Sequence, residues 1–378
     1  MRLTYLHIHN FKSIRSMEIR DIDRALIFVG KNNTGKTSIL DAVCAVCGCY
    51  EIQARDFNEN RQAIRIDACF SIEEEDLHLF HHMGIVSQYR RYDVWRRVFS
   101  ERLPSFKDGE LSFTLHVNQD GKVRYEDLYR KNNPYIHMVM PRIYRINAER
   151  ELNQLQNDLL MFQEDEELRR LRSGSCIFER AKKCNHCFQC IGLINQKKPE
   201  ELSAFETARL LEFKIYQLNL IGFSRKVNEN FFKNGGYEEI QYTLNFDADQ
   251  LFTVEVTAHN RQRGSVKPVE LMGKGMRSIY MLSLLETYIS EQGRIPSIIV
   301  VEDPEIFLHP QLQKSCSEIL YRLSKKNQVI FKTHSPDLLF NFSIRQIRQV
   351  VLDDERYSVI RPRTNMSEIL DDLGVWGQ

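Results

Sequence analysis

Apolar and polar positions alternate from the first residues. Leu3, Tyr5, His7 and His9 alternate with Thr4, Leu6 and Ile8 until Asn10-Phe11-Lys12-Ser13 breaks the run. A period of two predicts a half-buried strand, and extended character resumes over Ile14–Ile19. Ala25-Leu26-Ile27-Phe28-Val29 is uninterrupted apolar sequence, the mark of a strand buried on both faces. From Ile39-Leu40-Asp41-Ala42-Val43 the spacing turns helical. Strands are predicted at Ile64–Ile72, Leu111–Val117, Val123–Tyr125 and Arg142–Ile146, with Asn118-Gln119-Asp120-Gly121 as a hairpin connection. Between them Leu77–Phe99 mixes aromatic with basic residues: Tyr89, Arg90, Arg91, Tyr92, Trp95, Arg96 and Arg97. Such a stretch is either a solvated helix whose aromatics enter the core or a nucleic-acid face.

The pattern changes at Ala148. Leu152, Leu155, Leu159 and Phe162 form a helical stripe, and Pro199 with Glu200 and Glu201 predicts a second helix start. That helix would carry Leu202, Phe205, Leu211, Ile215 and Leu218. Residues 169–198 between the two have little apolar periodicity and hold four cysteines, so a helical hairpin with a cysteine-bearing tip is expected. Alternation returns at Ile240, Tyr242, Leu244 and Phe246, and again at Phe252, Val254 and Val256, predicting a hairpin. An apolar helix (Ile279–Tyr288), a buried strand (Ile298–Val301), a helix (Leu312–Leu323) and a strand (Val329–Phe331) follow. Val350–Leu352 is the last sheet strand expected. Strands alternating with helices imply an α/β fold with a parallel sheet. The expected division is an N-terminal lobe (1–150), a helical insertion (151–235) and a C-terminal lobe (236–378).

Composition excludes several classes. Hydrophobic content of 42% and charged content of 27% are ordinary for a globular protein. A net charge of +1 predicts neither nucleic-acid nor membrane binding in bulk, so any basic surface must be local. No apolar run is long enough to span a bilayer, and the N-terminus lacks a signal-peptide pattern. A soluble cytoplasmic protein is expected. Nine cysteines, an odd number, argue for thiols or a metal site and against a disulfide framework.

The strongest chemical signal follows the buried strand 25–29. Gly30-Lys31-Asn32-Asn33-Thr34-Gly35-Lys36-Thr37-Ser38 satisfies G-x-x-x-x-G-K-[ST] at every fixed position. Strand, glycine loop and helix N-terminus form an anion site in which backbone N–H groups converge on phosphate oxygens. Lys36 would reach the β- and γ-phosphates and the Thr37 hydroxyl would ligate Mg²⁺. Downstream, Val300-Val301-Glu302-Asp303-Pro304-Glu305 puts two adjacent carboxylates at the C-terminal end of a strand, where open α/β sheets bind ligands. Glu302 would hold the Mg²⁺ hydration shell and Asp303 would orient the attacking water; the alternative is that these acids cap the next helix. Thr333-His334-Ser335-Pro336 follows another apolar strand, and His334 there can sense a γ-phosphate.

Together these residues resemble a family. Asn10-Phe11-Lys12-Ser13, the glycine loop, Leu271-Met272-Gly273-Lys274-Gly275-Met276-Arg277, VEDPEIFLHP and THSP occur in the order of ABC-class ATPases related to SMC and RecF. More narrowly they are similar to the ATPase of OLD-type proteins and the AAA-15/AAA-21 group, over about residues 1–150 and 236–362. The resemblance implies an ABC-type P-loop head with an antiparallel β subdomain and an inserted helical hairpin. It implies ATP and Mg²⁺ as cofactors, with Lys12, Gly30, Asn32, Asn33, Thr34, Gly35, Lys36, Thr37 and Ser38 on the nucleotide. Gly273, Lys274, Gly275 and Arg277 would be the signature loop, contacting ATP held by a second copy in a homodimer sandwich. Glu302 maps to the Walker B acid, Asp303 to the catalytic carboxylate and His334 to the switch histidine. Asn147–Arg150 is the candidate for the glutamine loop. Lys274 stands where a hydroxyl residue is usual, and Asp303 is one methylene shorter than the usual Glu, so slow hydrolysis is expected. About sixteen residues follow Pro362, too few for the TOPRIM nuclease domain of OLD nucleases, so an effector in trans is expected. The resemblance points to a DNA-linked process, anti-phage defence or repair. An ATP-gated sensor or scaffold, and a metal-dependent maturation or redox-sensing ATPase, are the alternatives.

Cys176, Cys184, Cys187 and Cys190 have the spacing C-x₇-C-x₂-C-x₂-C. C-x₂-C lets one turn aim two sulfurs at one ion, and four thiolates complete a zinc shell. Two such steps in succession also suit a [4Fe–4S] cluster, and free or redox-active thiols are the third reading.

Overall fold

The N-terminal alternation builds a strand with a flaw in it. In β1 (Arg2–Phe11) the ladder slips between Leu3 and Tyr5, a β-bulge. Strict alternation groups Leu3 with Tyr5, His7 and His9; the bulge instead turns Leu3 inward with Leu6 and Ile8, all fully buried. Tyr5, His7 and His9 face outward, half-buried.

The computed structural model describes residues 1–59, 62–147, 176–178, 184–185, 187–218, 221–234, 237–240, 256–260, 262, 264–291, 297–362 and 365–374. The chain divides into two units, Met1–Leu155 with Val269–Gln378, and Gln156–Pro268.

In the first unit β1 is followed by β2 (Ile14–Ile19), β3 (Ala25–Val29) and helix α1 (Lys36–Val46). Then come β4 (Ile64–Ser71), α2 (Glu74–His82), α3 (Tyr92–Arg102), β5 (Phe106–Lys107), β6 (Glu110–Val117), β7 (Val123–Glu126), α4 (Pro134–Val139) and β8 (Arg142–Ile146). The strands β2-β1-β4-β6-β5 form an antiparallel sheet, with β7 hairpinned onto β6. Its inner face, from Leu3, Leu6 and Ile8 to Ile64, Ile66, Phe70, Leu111 and Leu115, is buried. Trp95 and Phe99 of α3 are fully buried, and the Trp95 indole N–H donates to Ile85 O at 3.0 Å. The aromatics at 95 and 99 are therefore core, while Tyr89, Arg90, Arg91 and Arg97 stay exposed.

The second unit holds the hairpin β9 (Thr257–Asn260) and β10 (Ser265–Pro268). The first unit then resumes with a helix (Lys274–Glu291), β11 (Ser297–Glu302), a helix (Pro310–Lys326), β12 (Gln328–Lys332), β13 (Ile347–Leu352) and β14 (Ser358–Ile360). The order in this sheet is β14-β13-β3-β12-β11-β8, parallel except for β14. The last strand is thus β14, not the expected 350–352. It pairs antiparallel along β13 and covers an edge that would otherwise expose unpaired backbone. The short helix Met366–Asp372, N-capped by Asn365, follows.

Helix α1 touches β1 and β4 of the first sheet and β12 of the second, and every residue of it except Thr37 is buried. A helix covered all round needs apolar or small residues on every face, which Ile39, Leu40, Ala42, Val43, Ala45 and Val46 supply. Each fully buried Leu, Ile, Val or Phe contributes about 1.5–3 kcal/mol relative to exposure, so the helix that opens on Lys36 is anchored by its length.

In the second unit Pro199–Glu201 is a single 3₁₀ turn, and the helix proper runs Ala204–Gln217. Ser203 accepts from Glu206 N while Glu206 accepts from Ser203 N, a capping box that outcompetes the proline signal. Phe205 is buried, Leu211 and Leu218 are exposed, and a further helix spans Ile221–Lys233. A small apolar cluster joins Cys190, Ile191 and Ile194 to Ile177, Phe188, Leu202, Leu210 and Phe213. The expected stripe 152–162 and most of the hairpin 240–256 lie outside the described residues.

Candidate active site

Three neighbouring parallel strands deliver one cavity. Because β12 pairs with β3 on one side and β11 on the other, the segments after their C-terminal ends lie side by side. Those segments are the glycine loop, Asp303-Pro304-Glu305 and Thr333-His334. They enclose about 910 Å³, lined by Lys12, Ser13, Asn32–Ser38, Asp303, Glu305, Ile306, Lys332, His334, Leu352 and Arg356. That volume suits a nucleotide.

The loop's backbone explains its glycines. Gly30 has φ +140°, and a Cβ there would lie 2.3 Å from Val350 O of β13. Gly35 has φ +90°, and its Cβ would strike the Ser358 and Ser13 hydroxyls at 2.1 and 2.7 Å. Gly35 is also the N-cap of α1; no side chain caps that helix and no acid stands in its first turn. The leading N–H groups and the positive end of the helix dipole are thus presented to the cavity, an anion site. Lys36 folds its ammonium back onto Gly30 O (2.8 Å) and Lys31 O (2.6 Å). Burial, together with the charge of Lys332, lowers its pKa to about 8. A triphosphate with Mg²⁺ fits this donor set: backbone amides and Lys36 for the phosphates, the Thr37 hydroxyl and nearby carboxylates for the ion.

The acidic side is arranged in an order the sequence does not disclose. Asp303 adopts φ +43°, a conformation uncommon for residues with a side chain. Its N–H donates to Lys332 O at 3.1 Å and its carboxylate lies 2.7 Å from Lys332 Nζ. Glu305 accepts from His334 N at 2.5 Å, and burial raises its pKa despite that bond. Burial first, then Lys36, lowers the pKa of His334. Glu302 does not line the cavity. Its Oε1 receives Arg145 Nε (3.0 Å) and Nη2 (2.6 Å), and Lys332 Nζ stands 3.7 Å from Oε2. Arg145 Nη2 also lies 2.6 Å from Asp41 of α1, whose other oxygen pairs with Lys12 Nζ at 2.5 Å. Lys12, Asp41, Arg145, Glu302, Lys332 and Asp303 therefore form one chain of alternating charge.

The structure brings Lys12, Asn32, Asn33, Thr34, Gly35, Lys36, Thr37, Ser38, Asp303 and His334 to the cavity, with Gly30 at its rim. It does not bring Gly273, Lys274, Gly275 and Arg277 there. Lys274, Gly275 and Arg277 form the first turn of the helix Lys274–Glu291, where Arg277 N donates to Gly273 O. Lys274 Nζ sits 4.4 Å from the Phe307 ring, and a Cβ on Gly275 would lie 2.5 Å from Phe307 O. Sequence reading missed Glu305, Lys332, Arg356, Arg145 and Asp41 as parts of the site. Glu305 stood within the quoted E-D-P-E run, and Lys332 directly precedes Thr333. Residues 148–150 of the glutamine-loop candidate lie outside the described residues.

The four cysteines of the second unit are not drawn into one ligand set. Among the described residues, the His, Cys, Asp and Glu side chains close enough to share an ion are His7, His9 and Asp67. Cys190 is buried, Cys187 exposed, Cys176 and Cys184 between. Burial first, then Cys184 and Cys187, push the Cys190 thiol up, with its own N–H and Arg209 pulling the other way. None of the described helices is long and apolar enough to cross a membrane.

A glycine loop on a buried strand, beside carboxylates that follow β11 of the same parallel sheet, defines a P-loop ATPase with an ABC-type head. The chain belongs to the AAA ATPase domain family AAA_15, which it matches over residues 1–339. It is 28% identical to the OLD nuclease of Thermus scotoductus over 116 residues, 30% of this chain and 22% of that one. The Old nuclease of Escherichia phage P2 is 29% identical over 143 residues, 34% and 23% of the two chains. Protein MJECL43 of Methanocaldococcus jannaschii is 28% identical over 123 residues, 32% of each chain. The matches thus span a third or less of these relatives. Among solved structures, the Smc head domain from Pyrococcus furiosus bound to the C-terminal domain of ScpA superposes with a TM-score of 0.55 at 15% identity, covering 100% of both chains. An Smc head bound to the C-winged helix domain of ScpA gives 0.52 at 15% identity, covering 97% of this chain and 100% of that one. The fold is that of an SMC head.

Proposed function

We propose that the chain hydrolyses ATP slowly as a homodimer that sandwiches two nucleotides, and that its ATP state controls a DNA-linked process, anti-phage defence or DNA repair. The observation that carries this reading is the partition of the motifs. Glycine loop, Asp303, Glu305 and His334 share one cavity, whereas Gly273–Arg277 stands apart from it with Leu271 and Met276 exposed beside it. Such a division suits a site completed by a second copy. In this reading Lys36 neutralises the phosphates and Thr37 ligates Mg²⁺, while Glu302, held by Arg145 outside the cavity, would have to exchange that partner to hold the ion's hydration shell. Asp303 orients water and His334 reports the γ-phosphate. The OLD nuclease relatives favour a nucleic-acid setting; DNA as that nucleic acid, and an effector in trans with a nuclease among the candidates, are part of the proposal. The Smc heads solved with ScpA domains lend weight to the second reading, an ATP-gated scaffold for a partner protein. The cysteine run has the spacing of a zinc site or a [4Fe–4S] cluster, with free or redox-active thiols as the third reading; elemental analysis of anaerobically purified protein decides among them.

Steady-state ATPase with and without DNA separates the two main readings. Stimulation by DNA that Lys36→Ala abolishes supports the first, and turnover indifferent to DNA but altered by a co-encoded protein supports the second.

A further inference from the structure

On the outer face of the antiparallel sheet, outside the lining of the nucleotide cavity, two imidazoles and a carboxylate converge. His7 and His9 stand two residues apart on β1, so both side chains leave the same face. Asp67 of β4 is paired directly opposite His7. One ligand atom from each of the three lies within 4.8 Å of the others, and His9 Nε2 is 4.0 Å from Asp67 Oδ2. The rings of His7 and His9 approach to 3.9 Å between centroids.

We propose that His7, His9 and Asp67 bind a late first-row divalent cation, zinc foremost. Imidazole and carboxylate together suit this class better than Mg²⁺ or Ca²⁺, which take all-oxygen sets. Zinc–ligand bonds of about 2.1 Å set ligand atoms about 3.4 Å apart in a tetrahedron, so small side-chain rotations close the present spacing. Three protein ligands leave the fourth position to water or another ligand.

The surroundings hold the set in place. Thr114 Oγ1 donates to Asp67 Oδ1 at 2.5 Å, and the Arg65 guanidinium reaches the same oxygen at 2.9 and 3.1 Å. Oδ2 is left as the oxygen on the His9 side. Ser16 Oγ lies 3.1 Å from His7 Nε2, a contact that can fix the ring's orientation and tautomer. Burial, and then the charge of His7, lower the pKa of His9, with Asp67 pulling the other way. Arg65 opposes a cation here, so the affinity is expected to fall below that of a four-ligand structural site. Without an ion, two imidazoles this close, tilted at 49°, gain nothing from each other's protonation.

The test uses the full chain without a histidine tag, stripped by chelator and titrated with Zn²⁺ against a chromophoric chelator. The wild type should bind one equivalent more than His9→Ala and one more than His7→Asn, with ATP binding intact in both as proof of folding. Thr114→Val should weaken that equivalent about tenfold, as expected for loss of a group holding a ligand. Co²⁺ bound at this site should lack the sulfur-to-cobalt charge-transfer bands that the four cysteines would give. Equal stoichiometry and affinity in wild type and both histidine variants would overturn the proposal. So would a lost equivalent whose Co²⁺ spectrum carries thiolate bands.

Discussion

Arg145 holds Glu302 through two nitrogens on one carboxylate oxygen, while its Nη2 stands equally close to Asp41, 2.6 Å from each. One guanidinium thus ties the end of β11 to the helix that opens on Lys36. The Asp41 and Glu302 side chains are only 5% and 9% exposed, so without Arg145 two buried carboxylates would keep only Lys12, beside Asp41, and Lys332, 3.7 Å from Glu302, as counter-charges. Breaking such a pair from one side costs about 3–5 kcal/mol. Arg145 is itself 28% exposed, which moves the expected loss for Arg145→Ala towards about 3 kcal/mol. Urea unfolding at unchanged slope should show it, and a loss below about 1 kcal/mol would mean water already screens the pair.

Two glycines separate strain from collision. Gly121 has φ +76° with nothing near its missing Cβ, so Gly121→Ala should cost only the left-handed penalty, about 1–2 kcal/mol. Gly30 has the Val350 carbonyl 2.3 Å from its would-be Cβ. Gly30→Ala must therefore push β13 from β3 or refold the loop. It should lower stability by more than Gly121→Ala and also abolish nucleotide binding, measured by thermal unfolding and by a fluorescent ATP analogue. Equal costs for the two would show that the loop yields freely.

Much of this was legible because short-range rules govern it. The uninterrupted apolar run 25–29, the glycine loop and the helix after it announce strand, cradle and helix by local chemistry alone. The strands 298–301 and 329–331 are recognisable for the same reason, and parallel pairing then brings Asp303 and His334 to the loop. The partners of Glu302 were not legible. Arg145 lies 157 residues away in sequence and meets it only because β8 joins the sheet beside β11. Leu3 was misplaced because a single bulge reverses the phase of a period-two pattern. The helix at 204 was placed too early because Pro199 is a more conspicuous signal than the Ser203–Glu206 box that wins.

The sandwich reading turns on Asp303. Removing its charge while keeping its size should spare ATP binding and block the attack of water, so Asp303→Asn should accumulate an ATP-bound dimer. Light scattering after size exclusion reads the mass directly. A monomer in every nucleotide state of this variant, with ATP demonstrably bound, would exclude dimerisation around ATP.

The protein should also take up a proton when it binds ATP. Burial and the nearby Lys332 charge lower Lys36 to about 8 in the free protein, against about 10.4 for an unperturbed lysine. Between those values the unfolded chain binds more protons than the folded one, so this group makes the free protein more stable as pH rises from 8 towards 10. Phosphate oxygens beside the ammonium reverse the bias and favour its charged form. At pH 8 about half of Lys36 is neutral before binding, so capture of a Mg²⁺-loaded, non-hydrolysable ATP analogue should draw in about half a proton. At pH 6.5 Lys36 is already charged and its contribution should vanish. Calorimetric titrations in buffers of different ionisation enthalpy measure the exchange: the apparent heat should vary with buffer at pH 8. A heat independent of buffer at that pH would show that Lys36 does not change its protonation when the phosphates arrive.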